Sequence, residues 1–113
     1  MPSISKENRA VTLINVFTVA PANQQKVVDL LVKATETTMK NIPGFISASI
    51  HKSVDGLRVV NYAQWRTQHD FEAMRNNPQA QAHIKPLMEI SKPDFHLYDV
   101  VDTFELKDKT ATG

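Results

Sequence analysis

The chain has 113 residues, the size of one ordinary domain, with 42% hydrophobic and 22% charged residues, close to the globular average and against disorder. Lys and Arg number 13 against 12 Asp and Glu; a net charge of +1 leaves no electrostatic footprint for nucleic acid or an anionic membrane. Cysteine is absent, which excludes disulfides, thiol nucleophiles, iron–sulfur clusters and Cys-based zinc sites and fits a reducing compartment.

Residues 1–10 read as a polar tail without the apolar core of a signal peptide. No apolar run approaches the roughly 20 residues of a membrane span. The expectation is a soluble, cytoplasmic protein. Val11 to Val19 is rich in β-branched residues, stops at Ala20-Pro21 and predicts a strand. Both of its faces are apolar, so both are expected to be covered. Asn23 to about Asn41 predicts a helix, capped by Asn23, with Val27, Leu30, Leu31, Ala34 and Thr38 along one face. Ile42-Pro43-Gly44 ends it.

Phe45 to Lys52 and Leu57 to Trp65 predict two strands joined through Asp55-Gly56, a hairpin signal. Thr67 to Met74 opens helically, with Thr67 and Asp70 spaced as a capping box. Pro78 suits the first turn of a further helix through about Ile90, whose inward stripe is Ala80, His83, Ile84, Leu87 and Met88. Phe95 to Phe104 predicts the last strand, and residues 105–113 a second polar tail. One domain over residues 11–104 follows. Its order, β-α-β-β-α-β, is the split βαβ pattern of the α+β ferredoxin-like class.

Helices cover one sheet face in that topology. The other face is expected to carry Ile14, Val16, Ile46, Ile50, Val60, Tyr62, Tyr98 and Val100. An apolar face of that size points to a homodimer with the sheets packed face to face.

On the strand Val59-Val60-Asn61-Tyr62-Ala63-Gln64-Trp65, alternation puts Asn61 and Trp65 on one face. Asn15 and Phe17 share a face of the first strand. If these faces meet, Asn15, Asn61 and Trp65 surround one volume, closed from the helices by Phe71, Met74, His83 and Leu87. Such a pocket, apolar with a few convergent polar groups, is the usual form of a small-molecule site. An unpaired buried amide costs about 1–3 kcal/mol, so the two Asn either satisfy each other or nearby backbone, or serve a ligand. His51, His69, His83 and His96 show no metal-ligand spacing, and no metal is expected. Asp99 is the one strand carboxylate expected to face inward.

The Val59–Trp65 strand, the Ile42-Pro43-Gly44-Phe45 turn and the element order resemble the antibiotic biosynthesis monooxygenase family over residues 11–104. The resemblance is to its small cofactor-independent, quinone-forming members, dimers of ferredoxin-like chains that oxidise anthrone-type rings with molecular oxygen. It implies no cofactor, a small aromatic substrate and catalytic roles for Asn61, Trp65 and, from the Leu13–Phe17 stretch, Asn15. Phe17, Phe71, Met74, His83 and Leu87 would then contact substrate. Phe71 stands where some members have Tyr, and Ile84 and Lys85 where they have Arg. Haem-degrading monooxygenases of the same fold are the runner-up resemblance: Asn15 and His83 fall near two of their functional places, while Met74 stands where they have Trp. A non-enzymatic small-ligand-binding dimer is the third reading.

Overall fold

The structure is a computed structural model, and it describes residues 10–106. β-branched runs form four strands, β1 (Val11–Val19), β2 (Phe45–Lys52), β3 (Arg58–Trp65) and β4 (Ser91–Tyr98). They pair antiparallel throughout, in the order β2-β3-β1-β4. Three helices, α1 (Gln24–Thr37), α2 (Gln68–Arg75) and α3 (Pro78–Ile90), pack on one face of this sheet. The architecture is the expected ferredoxin-like α+β fold.

The inward face of the central strands fixes the core. Leu13 lies opposite Ala63, Asn15 opposite Asn61 and Phe17 opposite Val59. Leu13 and Ala63 join Trp65, Phe71, Met74 and Ala80 in one apolar cluster. Phe17 and Val59 join Val19, Val27, Leu31 and Leu87 in a second. The Asn pair lies between the two clusters.

Several boundaries differ from expectation, each for a local reason. The first helix stops at Thr37 and the chain continues through a separate 3-10 turn, Met39–Asn41. Thr35 and Thr37 donate to the carbonyls of Leu31 and Lys33, as hydroxyls in helices tend to do. Asn23 makes no capping bond with its side chain; a 3-10 turn, Pro21–Asn23, leads into the helix instead. Gln24 Nε2 donates to the carbonyls of Ser53 and Arg58, which ties the helix start to the β2–β3 hairpin. In that hairpin Asp55 accepts from Ser53 Oγ and Leu57 N–H, and these bonds hold its carboxyl below the usual range.

The last strand begins at Ser91, directly after α3, and ends at Tyr98 rather than spanning Phe95 to Phe104. Lys92-Pro93-Asp94 reads as a break because proline has no N–H to give a ladder. β4 is an edge strand, where a missing donor is tolerated. Asp99 lies beyond the strand, is exposed and does not face the core. A bulge between Phe45 and Ser47 turns Ile50 inward, opposite Asn61, against the Phe17 cluster. Ile50 therefore leaves the outer face, and Val100 lies past the sheet. Of the expected tails, only Ala10, Glu105 and Leu106 fall within the described residues.

The start of α2 is pinned to the sheet. Asp70 N–H donates to Thr67 Oγ1 at 3.0 Å, the first half of the expected capping box. The Asp70 carboxylate lies against Gly44 and accepts from Arg66 Nε at 2.9 Å, which holds its carboxyl below the usual range. Arg66 N–H donates to Gly44 carbonyl at 2.7 Å. Gly44 has φ +92°, and a Cβ there would collide with the Asp70 side chain. Gly56, at φ +82°, faces open space apart from Pro21.

Gly44→Ala is therefore expected to destabilise by about 2–4 kcal/mol, left-handed strain plus overpacking, whereas Gly56→Ala costs about 1–2 kcal/mol from strain alone. Urea midpoints of the two variants check the order; equal costs would contradict the close approach of Gly44 to Asp70.

Candidate active site

A cavity of about 360 Å³ lies between the sheet and the helices, bordered by both core clusters. Asn15, Phe17, Asn61, Trp65, Phe71, Met74, His83 and Leu87 all line it. The register brings the two Asn directly opposite each other, yet their side chains do not bond. Oδ1 of each is buried without a partner, and no hydrogen bond joins either amide to protein among the described residues. The mutual satisfaction that would make these amides structural is absent. Buried polar groups are normally paired, and an unpaired one calls for an explanation.

Aromatic residues make the other end. Trp65 is 2% exposed, with Phe45 edge-on at 5.5 Å and Phe71 at 6.4 Å between ring centroids. Phe95 continues the row at 5.9 Å from Phe71. Such tilted and edge-to-face contacts suit the ring quadrupoles and hold the rings in place. The helix α2 contributes Phe71 and Met74, one turn apart, because its start is fixed at Thr67 and Asp70.

On α3, His83 and Leu87 are four residues apart and face the cavity together, with Ile84 beside them. His83 Nε2 lies 2.9 Å from Thr38 Oγ1 and 3.4 Å from Thr37 Oγ1. The break of α1 at Thr37 is what presents Thr38 at this point. Lys85 does not line the cavity and is exposed.

Sequence reasoning missed several lining residues. Arg75, in the last turn of α2, lies over the Phe95 ring at 4.9 Å and pairs with Glu72 at 3.1 Å. Its spacing of four from Phe71 was the available signal. Phe95 and Pro93 were hidden by the displaced strand boundary. Met39 follows the break of α1, and Ala48 faces inward through the β2 bulge. Arg75 and Met88 are also exposed to solvent and mark the open side. Among the described residues no cluster of three or more His, Cys, Asp or Glu is placed to hold a metal ion, and no helix is long and apolar enough to cross a membrane.

Residues 10–86 match the family described as Antibiotic biosynthesis monooxygenase. The chain is 43% identical over 104 residues to Tetracenomycin-F1 monooxygenase of Streptomyces glaucescens, covering 92% of this chain and 93% of that one. Among solved structures, the ActVA-Orf6 monooxygenase of Streptomyces coelicolor, in complex with Nanaomycin D, superposes with a TM-score of 0.79 at 26% identity, over 87% of this chain and 93% of that one. SnoaB, a cofactor-independent oxygenase from Streptomyces nogalater, shares the fold with a TM-score of 0.73 at 24% identity, over 84% and 96% of the two chains.

Because neither Asn amide has a protein partner among the described residues, Asn15→Ala and Asn61→Ala are each expected not to destabilise, and to stabilise by up to about 1–3 kcal/mol as the unmet amide is removed. Trp65→Ala, which empties a packed aromatic site, is expected to cost about 3–5 kcal/mol. Thermal unfolding of the three variants makes the comparison, and a loss above 2 kcal/mol on removing either Asn would return that residue to a structural role.

Proposed function

The chain belongs to the antibiotic biosynthesis monooxygenase family, and from that premise we propose that it oxidises a polycyclic phenol of the anthrone type to a quinone with molecular oxygen, without metal or flavin. The observation that carries this reading is the Asn15–Asn61 pair, two amides without partners among the described residues on the wall of an apolar, aromatic cavity.

Dioxygen is a triplet and reacts slowly with closed-shell molecules. An enzyme without its own redox centre needs a substrate that supplies the electron. An anthrone does so once it loses a proton and becomes an enolate. The protein then has to bind a flat ring system, stabilise the oxyanion and keep water out. Asn15 and Asn61 are neutral amides on the two central strands; each carries N–H donors for an oxyanion, and its unpartnered Oδ1 can accept from a phenolic O–H. Trp65, Phe71 and Phe45 offer faces and edges to aromatic rings. The relative named for tetracenomycin F1 and the structural relative holding Nanaomycin D support a substrate of related size and chemistry here.

Oxygen uptake with dithranol, with no metal or flavin added, tests the reading. Wild-type protein is expected to accelerate uptake, and Asn61→Ala together with Trp65→Phe to lower kcat/KM at least about 100-fold, the usual cost of losing an oxyanion donor. Uptake unchanged in the double variant would place the reaction elsewhere.

A second copy of the chain belongs to the same proposal. Ile14, Val16, Val60 and Tyr62 lie on the sheet face away from the helices and are only half-buried. Apolar patches of this kind mark association surfaces, and a two-fold homodimer is the commonest solution. Sedimentation is expected to give twice the mass of the chain, and Val60→Glu, which puts a charge in that face, to give one chain mass with the fold retained. A wild-type monomer at micromolar concentration would remove the dimer from the proposal.

A further inference from the structure

We propose that His83 is the proton acceptor that turns the bound substrate into its enolate, with Nδ1 as the accepting atom and Thr37 and Thr38 as its positioning residues. The inference rests on the reaction proposed above and goes beyond it by naming the base.

Among the described residues, the ionisable side chains that line the cavity are Arg75 and His83. A guanidinium stays protonated in proteins and cannot accept. The remaining polar groups, Asn15, Asn61, Thr35 and Gln81, are neutral. Imidazole is the side chain that takes and gives protons near neutral pH. By elimination within the cavity, the acceptor is His83.

Both hydrogen-bond contacts of the ring are made by Nε2, which leaves Nδ1 as the nitrogen without a protein partner among the described residues. Thr37 has one hydroxyl hydrogen, and it goes to the Lys33 carbonyl at 2.7 Å. Toward His83 that oxygen offers a lone pair only. Thr38 Oγ1, at 2.9 Å, can accept from or donate to Nε2; as the base, His83 takes the form in which Nε2 carries the hydrogen, which satisfies both threonine contacts at once. That tautomer leaves the lone pair on Nδ1, which has no partner among the described residues. The same contacts suit the charged ring, because an imidazolium donates at Nε2 to those two oxygens without rearrangement.

The ring carbon opposite the carbonyl loses a C–H proton to Nδ1, and its electron pair passes into the ring system as an enolate. The enolate gives one electron to dioxygen, and the two radicals join in a new C–O bond. The imidazolium returns its proton to the peroxide anion. The hydroperoxide then loses water: the second C–H bond and the O–O bond break, and the carbon becomes a carbonyl. One oxygen atom enters the quinone and the other leaves in water.

Proton abstraction is measurable without oxidation, by following exchange of the dithranol ring CH₂ hydrogens into D₂O under argon by NMR. Wild-type protein is expected to accelerate exchange, and His83→Gln to slow both exchange and aerobic oxygen uptake about 100-fold or more, with KM within about threefold, in the range typical of a lost general base. Added imidazole is expected to restore part of the exchange rate in His83→Ala. Exchange in wild type that His83→Gln abolishes, with no oxygen uptake by either, would keep the base and sink the monooxygenase reading. Exchange kept within about threefold in His83→Gln, or no exchange by wild type, would overturn the base assignment. ¹⁵N-histidine NMR of the unaltered protein gives a check that needs no variant: protonated Nε2 and bare Nδ1 are expected, and the opposite tautomer would overturn the proposal.

Discussion

The cross-strand pair of Asn15 and Asn61 is the constraint on which the rest of the site depends. On an inward row that otherwise reads Leu13–Ala63 and Phe17–Val59, two short polar residues replace what packing alone would fill with apolar bulk. The core divides there into two clusters instead of closing as one. The cavity lies along that division, bordered by both clusters. An unsatisfied buried amide costs about 1–3 kcal/mol, so two of them on the central strands of a small domain are a real sacrifice of stability. The cost is intelligible if a ligand supplies the missing partner.

The sheet sets one wall with little freedom, and the other wall has to be brought to it. Four contacts do this at one corner: Arg66 to Gly44, Arg66 to Asp70, Asp70 to Thr67, and the close approach of Gly44 to Asp70. They fix where α2 begins and hence the direction of Phe71, Met74 and Arg75. Asn77 repeats the device for α3, its side-chain Oδ1 accepting from Gln79 and Ala80 N–H, and Pro78 starts the helix. The Asp70 pair adds a pH term of known sign. Its lowered carboxyl contributes stability above the ordinary carboxylate range and loses it as the pH falls through the folded value.

Much of this was legible in the sequence where one rule dominated. β1, β2 and the caps at Thr67 and Pro78 followed from β-branched runs and helix-start chemistry, and alternation put Asn15, Phe17, Asn61 and Trp65 on one face. The eight candidate side chains line one cavity for that reason; their roles in chemistry are a separate matter. What stayed hidden depends on pairing between distant segments. The β2 bulge, which turns Ile50 inward, is visible only against β3. Pro93 inside a strand makes sense only once β4 is known to be an edge. Thr38 looked like one more position on a helix stripe, whereas the end of α1 at Thr37 presents its hydroxyl to His83.

The two walls also divide the chemistry. From the sheet, the polar groups entering the cavity are the amides of Asn15 and Asn61, neutral donors held by the ladder. From the helices come the groups that carry or change charge, His83 and Arg75. This division suits a reaction in which an oxyanion develops while a proton leaves and returns. Rigid neutral donors stabilise the anion without holding on to a charged product. A base belongs instead beside neighbours that suit both of its protonation states, and the hydroxyl oxygens of Thr37 and Thr38 can accept from Nε2 in either. Trp65, at the end of β3 and between Phe45 and Phe71, sits where the two walls meet and takes part in both. Phe45 belongs to the sheet and Phe71 to α2, so the aromatic row ties the two walls together at that end of the cavity.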